Sequence, residues 1–185
     1  NDGSTPGGIY NTGFTGLMTN GTTNYLNQFN IDQMTIGGAA GVLTIDNVPE
    51  GDALGIGNTQ QYAFQTGVNV QASTVPYCLH SRIKSPFAGF TPANNQSMGV
   101  FIGTGNQSNY IKIVTAANGG FGGIQIVKEQ NDVVASSFIY WASILNANWV
   151  DLYLIINPVT LTVQPAYSIN SGARINLGAP ITIPA

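Results

Sequence analysis

Apolar and polar residues alternate most regularly between Met98 and Glu129, in the sequence MGVFIGTGNQSNYIKIVTAANGGFGGIQIVKE. Alternation with a period of two is typical of β-strands that bury one face, and here Gly, Asn and Ser interrupt it at intervals. The pattern predicts three successive strands at residues 98–103, 110–115 and 123–129. Strands of this kind need pairing partners, so the rest of the chain is expected to supply a sheet around them.

The remaining sequence repeats this pattern in short pieces. Residues 34–36 and 42–45 flank the glycine-rich segment 37–41, an arrangement typical of a hairpin. Residues 9–17 and 25–29 are interpreted as edge strands or ordered loops. Further strands are predicted at residues 61–70, 77–84, 133–140, 149–156, 161–169 and 175–183. With roughly ten to thirteen short strands at regular spacing, the sequence predicts an all-β fold.

Chain length favours a single β-sandwich domain over residues 1–185, with residues 1–8 as a possible N-terminal arm. Charged residues make up 7% of the chain, against about 25% in ordinary soluble domains. The surface must therefore be covered by uncharged polar residues, which favours packing against uncharged polymers or against other copies. A net charge of −3 without a basic cluster argues against nucleic acid as a partner.

The sequence also carries signals of location and reactivity. No apolar run approaches a membrane span, and no cationic-apolar leader is present. The chain starts without Met and is poor in Lys and Glu, so we expect a mature extracellular or cell-surface protein or an excised domain. Cys78 shares one strand face with His80 and Arg82, which raises the possibility of a reactive thiol. No motif for a base or a nucleophile turn accompanies them, so an ordinary, half-buried strand residue is the favoured interpretation.

Three segments carry a family resemblance: SRIKSPFAG (81–89), SMGVFIGTGNQSNYIKIVTAANGGFGGIQIVKEQNDVV (97–134) and NWVDLYLIINPVTLTVQPAYSINSGARINLGAPITIP (148–184). Their order resembles concanavalin A-like jelly-roll domains, in particular the laminin G-like and glucanase-like modules of bacterial extracellular proteins. The resemblance implies two curved antiparallel sheets forming a sandwich, with a face that binds glycans in many relatives. It does not imply catalysis, because Glu50 and Glu129 are the only glutamates and lie in different segments.

Alternation also assigns faces to the charged residues. Leu152 and Leu154 must face the core, which leaves Trp149, Asp151 and Tyr153 together on the other face. If the strands align in the jelly-roll manner, one sheet surface carries a set of ionisable and aromatic side chains, namely His80, Arg82, Tyr110, Lys112, Asp151 and Tyr153. Such a set can hold sugar hydroxyls and stack on a sugar ring. The alternative is a cross-strand salt bridge on a solvated sheet face.

An acidic segment and the two tryptophans are the remaining candidates for a functional role. Asp46, Glu50 and Asp52 offer oxygen ligands suited to calcium, although their spacing is not that of a specific loop and a solvated turn is favoured. Trp141 and Trp149 are expected to close the core rather than to serve as sugar platforms. No other cofactor is expected.

Two functions follow from these patterns. The first is a non-catalytic carbohydrate-binding or adhesion module. The second is a self-assembling subunit of an extracellular filament, sheath or surface layer, in which the N-terminal arm docks on a neighbouring copy as an added strand. An enzyme is not expected, because the chain has one His, one Cys and no carboxylate pair.

Overall fold

The computed structural model describes residues 13–18, 28–37, 41–69, 73–87, 90–118 and 120–184, apart from the side chains of residues 36 and 118. Within them, all regular elements are antiparallel β-strands or single 3₁₀ turns, which confirms the all-β prediction. The turns are Ile31–Gln33 and Gly55–Gly57. The strands are β1 Gly16–Leu17, β2 Met34–Gly37, β3 Val42–Ile45, β4 Phe64–Gln65, β5 Tyr77–Lys84, β6 Ser97–Gly103, β7 Asn109–Asn118, β8 Phe121–Gln130, β9 Val133–Trp141, β10 Trp149–Asn157, β11 Thr162–Ile169, β12 Ile175–Asn176 and β13 Ile181–Thr182.

Contacts divide the chain into two compact units. The first takes in Asn1–Val68 and Gly105–Ser108, and the second takes in Asn69–Thr104 and Asn109–Ala185. The single domain expected from the sequence stays a prediction. The expected N-terminal arm, residues 1–8, lies outside the described residues.

The first unit contains two small two-stranded sheets, β1 with β4 and β2 with β3. A buried glutamine, Gln107, ties its irregular segments together. The Gln107 side-chain oxygen accepts a hydrogen bond from the Gln60 N–H at 2.9 Å, and its Nε2 donates to the Gln60 carbonyl at 2.9 Å. The side-chain amide thus pairs with the backbone as a neighbouring strand would, which satisfies polar groups that burial would otherwise leave costly.

The second unit contains the two large sheets. One has four strands in the order β6-β7-β8-β9, and the other has β12-β11-β10-β5 with β13 also paired to β11. Alternate apolar residues of both sheets form one core cluster, which includes Ile111, Ile113, Leu152, Leu154 and Ile156, all 0% exposed. Two antiparallel sheets sharing one apolar core are compatible with a β-sandwich.

Two predicted strands are shorter than expected. Residues 61–70 contribute the two-residue strand β4, and residues 175–183 form two separate pieces, β12 and β13. Pro165 of β11 explains the second break. Its carbonyl accepts a hydrogen bond from Leu177 N–H, but proline has no N–H to donate back toward the same segment, so the ladder is interrupted between β12 and β13.

Packing in the core of the second unit predicts that alanine substitutions at neighbouring residues of β10 destabilise the protein to different extents. Leu154 is 0% exposed, whereas Ile155 points to the opposite face and is partly exposed. We expect Leu154→Ala to lower the free energy of unfolding by about 3 kcal/mol, because it removes buried methylene contacts and leaves a cavity. Ile155→Ala is the matched control and should cost less than half as much. Denaturant unfolding measures both, and equal costs would contradict this assignment of faces.

Candidate functional site

Strands β5 and β10 bring together four of the six residues predicted to share a surface. They pair in antiparallel register, with Asp151 opposite Arg82 and Tyr153 opposite His80. All four side chains lie on the face of this sheet that is turned away from the core, because Leu79, Ile83, Leu152 and Leu154 occupy the core-facing positions. We call this surface the charged face. It consists of His80, Arg82, Lys84, Trp149, Asp151, Tyr153 and Arg174.

The other two predicted residues, Tyr110 and Lys112, do not lie on the charged face. Both belong to β7 of the four-stranded sheet. Tyr110 is 1% exposed and its hydroxyl donates to Glu129 Oε2 at 3.3 Å, while Lys112 Nζ lies 5.6 Å from the Tyr110 ring. The expectation of a shared surface was wrong for these two residues. Alternation reports which face of its own sheet a side chain occupies, and it does not report which sheet of a sandwich the strand joins.

A buried carboxylate holds the charged face together. The Asp151 side chain is 1% exposed, and its Oδ1 accepts from Arg82 Nε at 2.7 Å while its Oδ2 accepts from Arg82 Nη2 at 3.0 Å. The two bonds form the bidentate arrangement that suits a guanidinium. His80 Nε2 lies 2.7 Å from Oδ1, and the Ser168 hydroxyl donates to Oδ2 at 3.4 Å. Both oxygens are therefore satisfied, as burial requires.

The same contacts fix the ionisation of this carboxylate. Hydrogen bonds from the Arg82 guanidinium hold the pKa of Asp151 below its ordinary value, burial opposes this effect, and the hydrogen bond with His80 adds to the lowering. The Asp151 carboxylate in turn raises the pKa of Arg82. At neutral pH the pair is ionised, and the Arg82 and His80 side chains are held in defined positions.

Three rings, those of His80, Tyr153 and Trp149, lie among these charges. The His80 and Tyr153 rings stack with their centroids 4.8 Å apart and an interplanar angle of 11°. The Arg174 guanidinium carbon lies 5.8 Å from the Tyr153 ring centroid, and that of Arg82 lies 5.8 Å from the Trp149 ring centroid. His80 and Arg82 remain about half exposed, with side-chain exposures of 45% and 50%. The charged face therefore presents ordered rings and donors to solvent.

Sequence reasoning missed two members of this arrangement, Arg174 and Ser168. Arg174 reaches the charged face from the segment between β11 and β12, where no strand periodicity could place it. Ser168 lies opposite Asp151 in the β10–β11 register, which the sequence does not specify. Alternation placed Trp149 on this face, but its expected role of closing the core was wrong, since it is 36% exposed. The Trp149 backbone is held by Asn170, whose Oδ1 accepts hydrogen bonds from the N–H groups of Asn148 and Trp149.

The expectation for the other tryptophan was also wrong. Trp141, at the end of β9, is 63% exposed and meets the Phe121 ring edge to face, with centroids 6.0 Å apart. Position on a strand end cannot tell a core-closing tryptophan from a surface one, because both carry the same apolar pattern.

The structure does not bring the three proposed calcium ligands together. Among the described residues, no group of three or more His, Cys, Asp or Glu side chains is placed to hold a metal ion. Asp46, Glu50 and Asp52 are all exposed. The Asp52 Oδ1 accepts a hydrogen bond from the Leu54 N–H at 2.9 Å, which is a local turn contact. This geometry fits the solvated turn that the sequence favoured.

Cys78 lies on the same sheet face as His80 and Arg82, as the alternation predicted, but it is exposed rather than half-buried. Partial desolvation against the sheet raises the pKa of the Cys78 thiol, and the charge of Arg174 opposes that rise. A raised thiol pKa means less thiolate at neutral pH, so these contacts do not activate the sulfur as a nucleophile.

Comparison of the chain with protein-family models, with curated proteins and with solved structures found no significant match. The resemblance to concanavalin A-like domains therefore stays an interpretation of the sequence. In the part of the chain that the structure describes, no helix is long and apolar enough to cross a lipid bilayer.

The Asp151 contacts predict a pH-dependent loss of stability. At neutral pH we expect Asp151→Asn to lower the free energy of unfolding by about 2 kcal/mol, because charge-assisted hydrogen bonds are lost. The folded pKa is lower than the unfolded value of about 3.9, so the contribution is fully present above that pH and is lost as the pH falls through the folded pKa. Denaturant unfolding at pH 7 and at low pH measures the shrinking difference between Asp151→Asn and the unsubstituted protein.

The exposed Asp46 supplies the control for this measurement. Asp46→Asn removes the same charge and should change stability by no more than about 0.5 kcal/mol at either pH. A difference between Asp151→Asn and the unsubstituted protein that stays constant with pH would contradict the role assigned to the carboxylate.

Proposed function

We propose that this chain is a non-catalytic carbohydrate-binding module of the concanavalin A-like jelly-roll type, which acts outside the cell or at its surface. The observation that carries the proposal is the charged face, where the half-exposed His80–Tyr153 stack and Arg82 are held in place by the buried Asp151 carboxylate. A sugar-binding surface typically presents aromatic rings and hydrogen-bond donors that are rigidly held and partly exposed.

The chemistry of each side chain supports this role. The Tyr153 and Trp149 rings supply apolar surface against which the C–H groups of a sugar ring can stack. Arg82 uses Nε and one terminal nitrogen for Asp151, which leaves its other terminal nitrogen to donate outward. When His80 donates from Nε2 to Asp151, its Nδ1 becomes an acceptor for a hydroxyl. Side chains ordered before binding lose less entropy when a ligand arrives.

The non-catalytic part of the proposal rests on the carboxylates. Glycosidase chemistry needs two carboxyl groups flanking one bond, one as acid and one as base or nucleophile. On the charged face, the Asp151 carboxylate is buried beneath Arg82 and fully hydrogen-bonded. Glu129 is also buried, at 0% exposure, in the four-stranded sheet. Neither is available to a bound sugar.

The proposal predicts that two substitutions on the charged face weaken glycan binding. We expect Tyr153→Ala and Arg82→Ala each to weaken binding by about tenfold or more, because one removes the stacking surface and the other removes outward donors. A glycan array identifies a ligand, and titration calorimetry with that ligand measures the affinity of each variant. Trp141→Ala is the control, since it removes a more exposed aromatic ring from β9 of the other sheet. Unchanged binding by both charged-face variants would contradict the proposed site.

A second candidate function, self-assembly, is favoured by the outer strand β9. This strand pairs with β8 on one side, and no described residue pairs with its other side. Its nine residues, VVASSFIYW, carry no charge, and Val133, Phe138 and Trp141 are each more than half exposed. Long, uncharged edges of this kind are the places where sheets add a further strand. A second copy of the chain is the proposed partner.

A charge placed on β9 tests the second function. We expect Phe138→Lys to abolish any self-association of the protein, because a lysine on a sheet edge blocks edge-to-edge pairing. Sedimentation velocity across a range of protein concentrations measures the association. Val159→Lys, in the exposed turn between β10 and β11, adds the same charge away from the edge and should leave association unchanged. Equal association by both variants and the unsubstituted protein would exclude β9 as the interface.

A further inference from the structure

We infer, on the basis of the proposed function, that the charged face selects acidic glycans, that is, saccharides bearing carboxylate or sulfate groups. The chain as a whole is acidic, with eight Asp and Glu against five Lys and Arg. Three of these five cations, Arg82, Lys84 and Arg174, nevertheless lie on this one face. Its elements β5, β10, β11 and β12 and the 170–174 segment carry a single carboxylate, that of Asp151. The face is therefore positive on a negative protein.

The single carboxylate on this face already has a partner within the protein. Asp151 is buried and its charge is offset by the bidentate contact with Arg82. Among the described residues, neither Lys84 nor Arg174 forms a salt bridge with a carboxylate. Two cations of the charged face thus lack an internal counter-charge, and both are exposed to solvent. An anionic ligand would supply the missing charge through hydrogen bonds that are stronger than those of a neutral hydroxyl.

The positions of the cations also fit a saccharide rather than a single small anion. Arg174 lies over the Tyr153 ring, and Lys84 is directly opposite Trp149 in the β5–β10 register. Trp149 and Tyr153 are four residues apart on one strand, which separates their Cα atoms by about 13 Å. Each aromatic ring therefore has a cation beside it, and a chain of sugars lying along β10 would meet ring and charge together at two places.

Matched pairs of oligosaccharides test this selectivity. The probes are an oligogalacturonide and its fully methyl-esterified form, which has the same backbone without charge, together with dextran sulfate and dextran. We expect at least one acidic member to bind about tenfold or more tightly than its neutral partner, and the affinity to fall as NaCl is raised, because salt screens exposed charges. The pair that shows the difference tells whether carboxylate or sulfate is recognised.

The outcomes separate the inference from the proposed function. If the neutral member of each pair binds as tightly as the acidic one, selectivity for acidic glycans is overturned while carbohydrate binding stands. If no member binds, and a glycan array also gives no ligand, both are overturned.

Charge-removing variants place the selectivity on the named residues. Lys84→Gln and Arg174→Gln should each weaken binding of the acidic probe by about fivefold or more, and leave binding of the neutral probe unchanged. Lys128→Gln, on β8 of the four-stranded sheet, removes the same charge from another part of the unit and should have no such effect. An equal loss in Lys128→Gln would assign the preference to net charge rather than to the charged face, and would overturn the inference. Arg174→Lys, which keeps the charge, should retain the preference.

Discussion

The second unit depends on the shared burial of alternate apolar side chains between its two sheets. Residues such as Ile113 and Leu154 are fully buried, and a strand that buries one set of residues must turn the alternate set the other way. Burial of the β10 leucines thus places Asp151 and Tyr153 on the opposite face without any further requirement. The charged face therefore results from burial of the apolar face. A register shift of one residue would turn the apolar side chains outward and the charged ones toward the core.

Burying Asp151 beneath that face is costly unless every oxygen is paired. Here Arg82, His80 and Ser168 meet that requirement, so the carboxylate orders its neighbours instead of unfolding the strand pair. The two interpretations drawn from the sequence, a structural salt bridge and a ligand surface, are therefore not exclusive. The salt bridge provides the rigidity, and the half-exposed groups that it holds are the ones able to meet a ligand.

The sequence was most informative where alternation was uninterrupted. The long strands β5 to β11 lie within a few residues of their predicted bounds. Side-chain parity put His80 with Arg82 and Asp151 with Tyr153, while the pairing of β5 with β10 that joins them was expected from the family resemblance. Prediction from alternation failed for Lys112, because its position depends on which strands are neighbours. It also failed for Arg174, because this residue reaches the charged face from an irregular segment. Strand order and loop paths are set by long-range packing, which a local pattern does not contain.

The break that Pro165 makes in the ladder has a consequence for dynamics. β12 and β13 each pair with β11 through two residues, so the segment after Ser171 is held by far fewer backbone bonds than β10 or β11. Segments with few ladder bonds open at a lower free energy than the body of a sheet. Arg174 sits at the start of this weakly held segment. The guanidinium of Arg174, which lies over the Tyr153 ring, therefore belongs to the part of this sheet that we expect to open most readily. A ligand bound to Arg174 would also hold this segment closed.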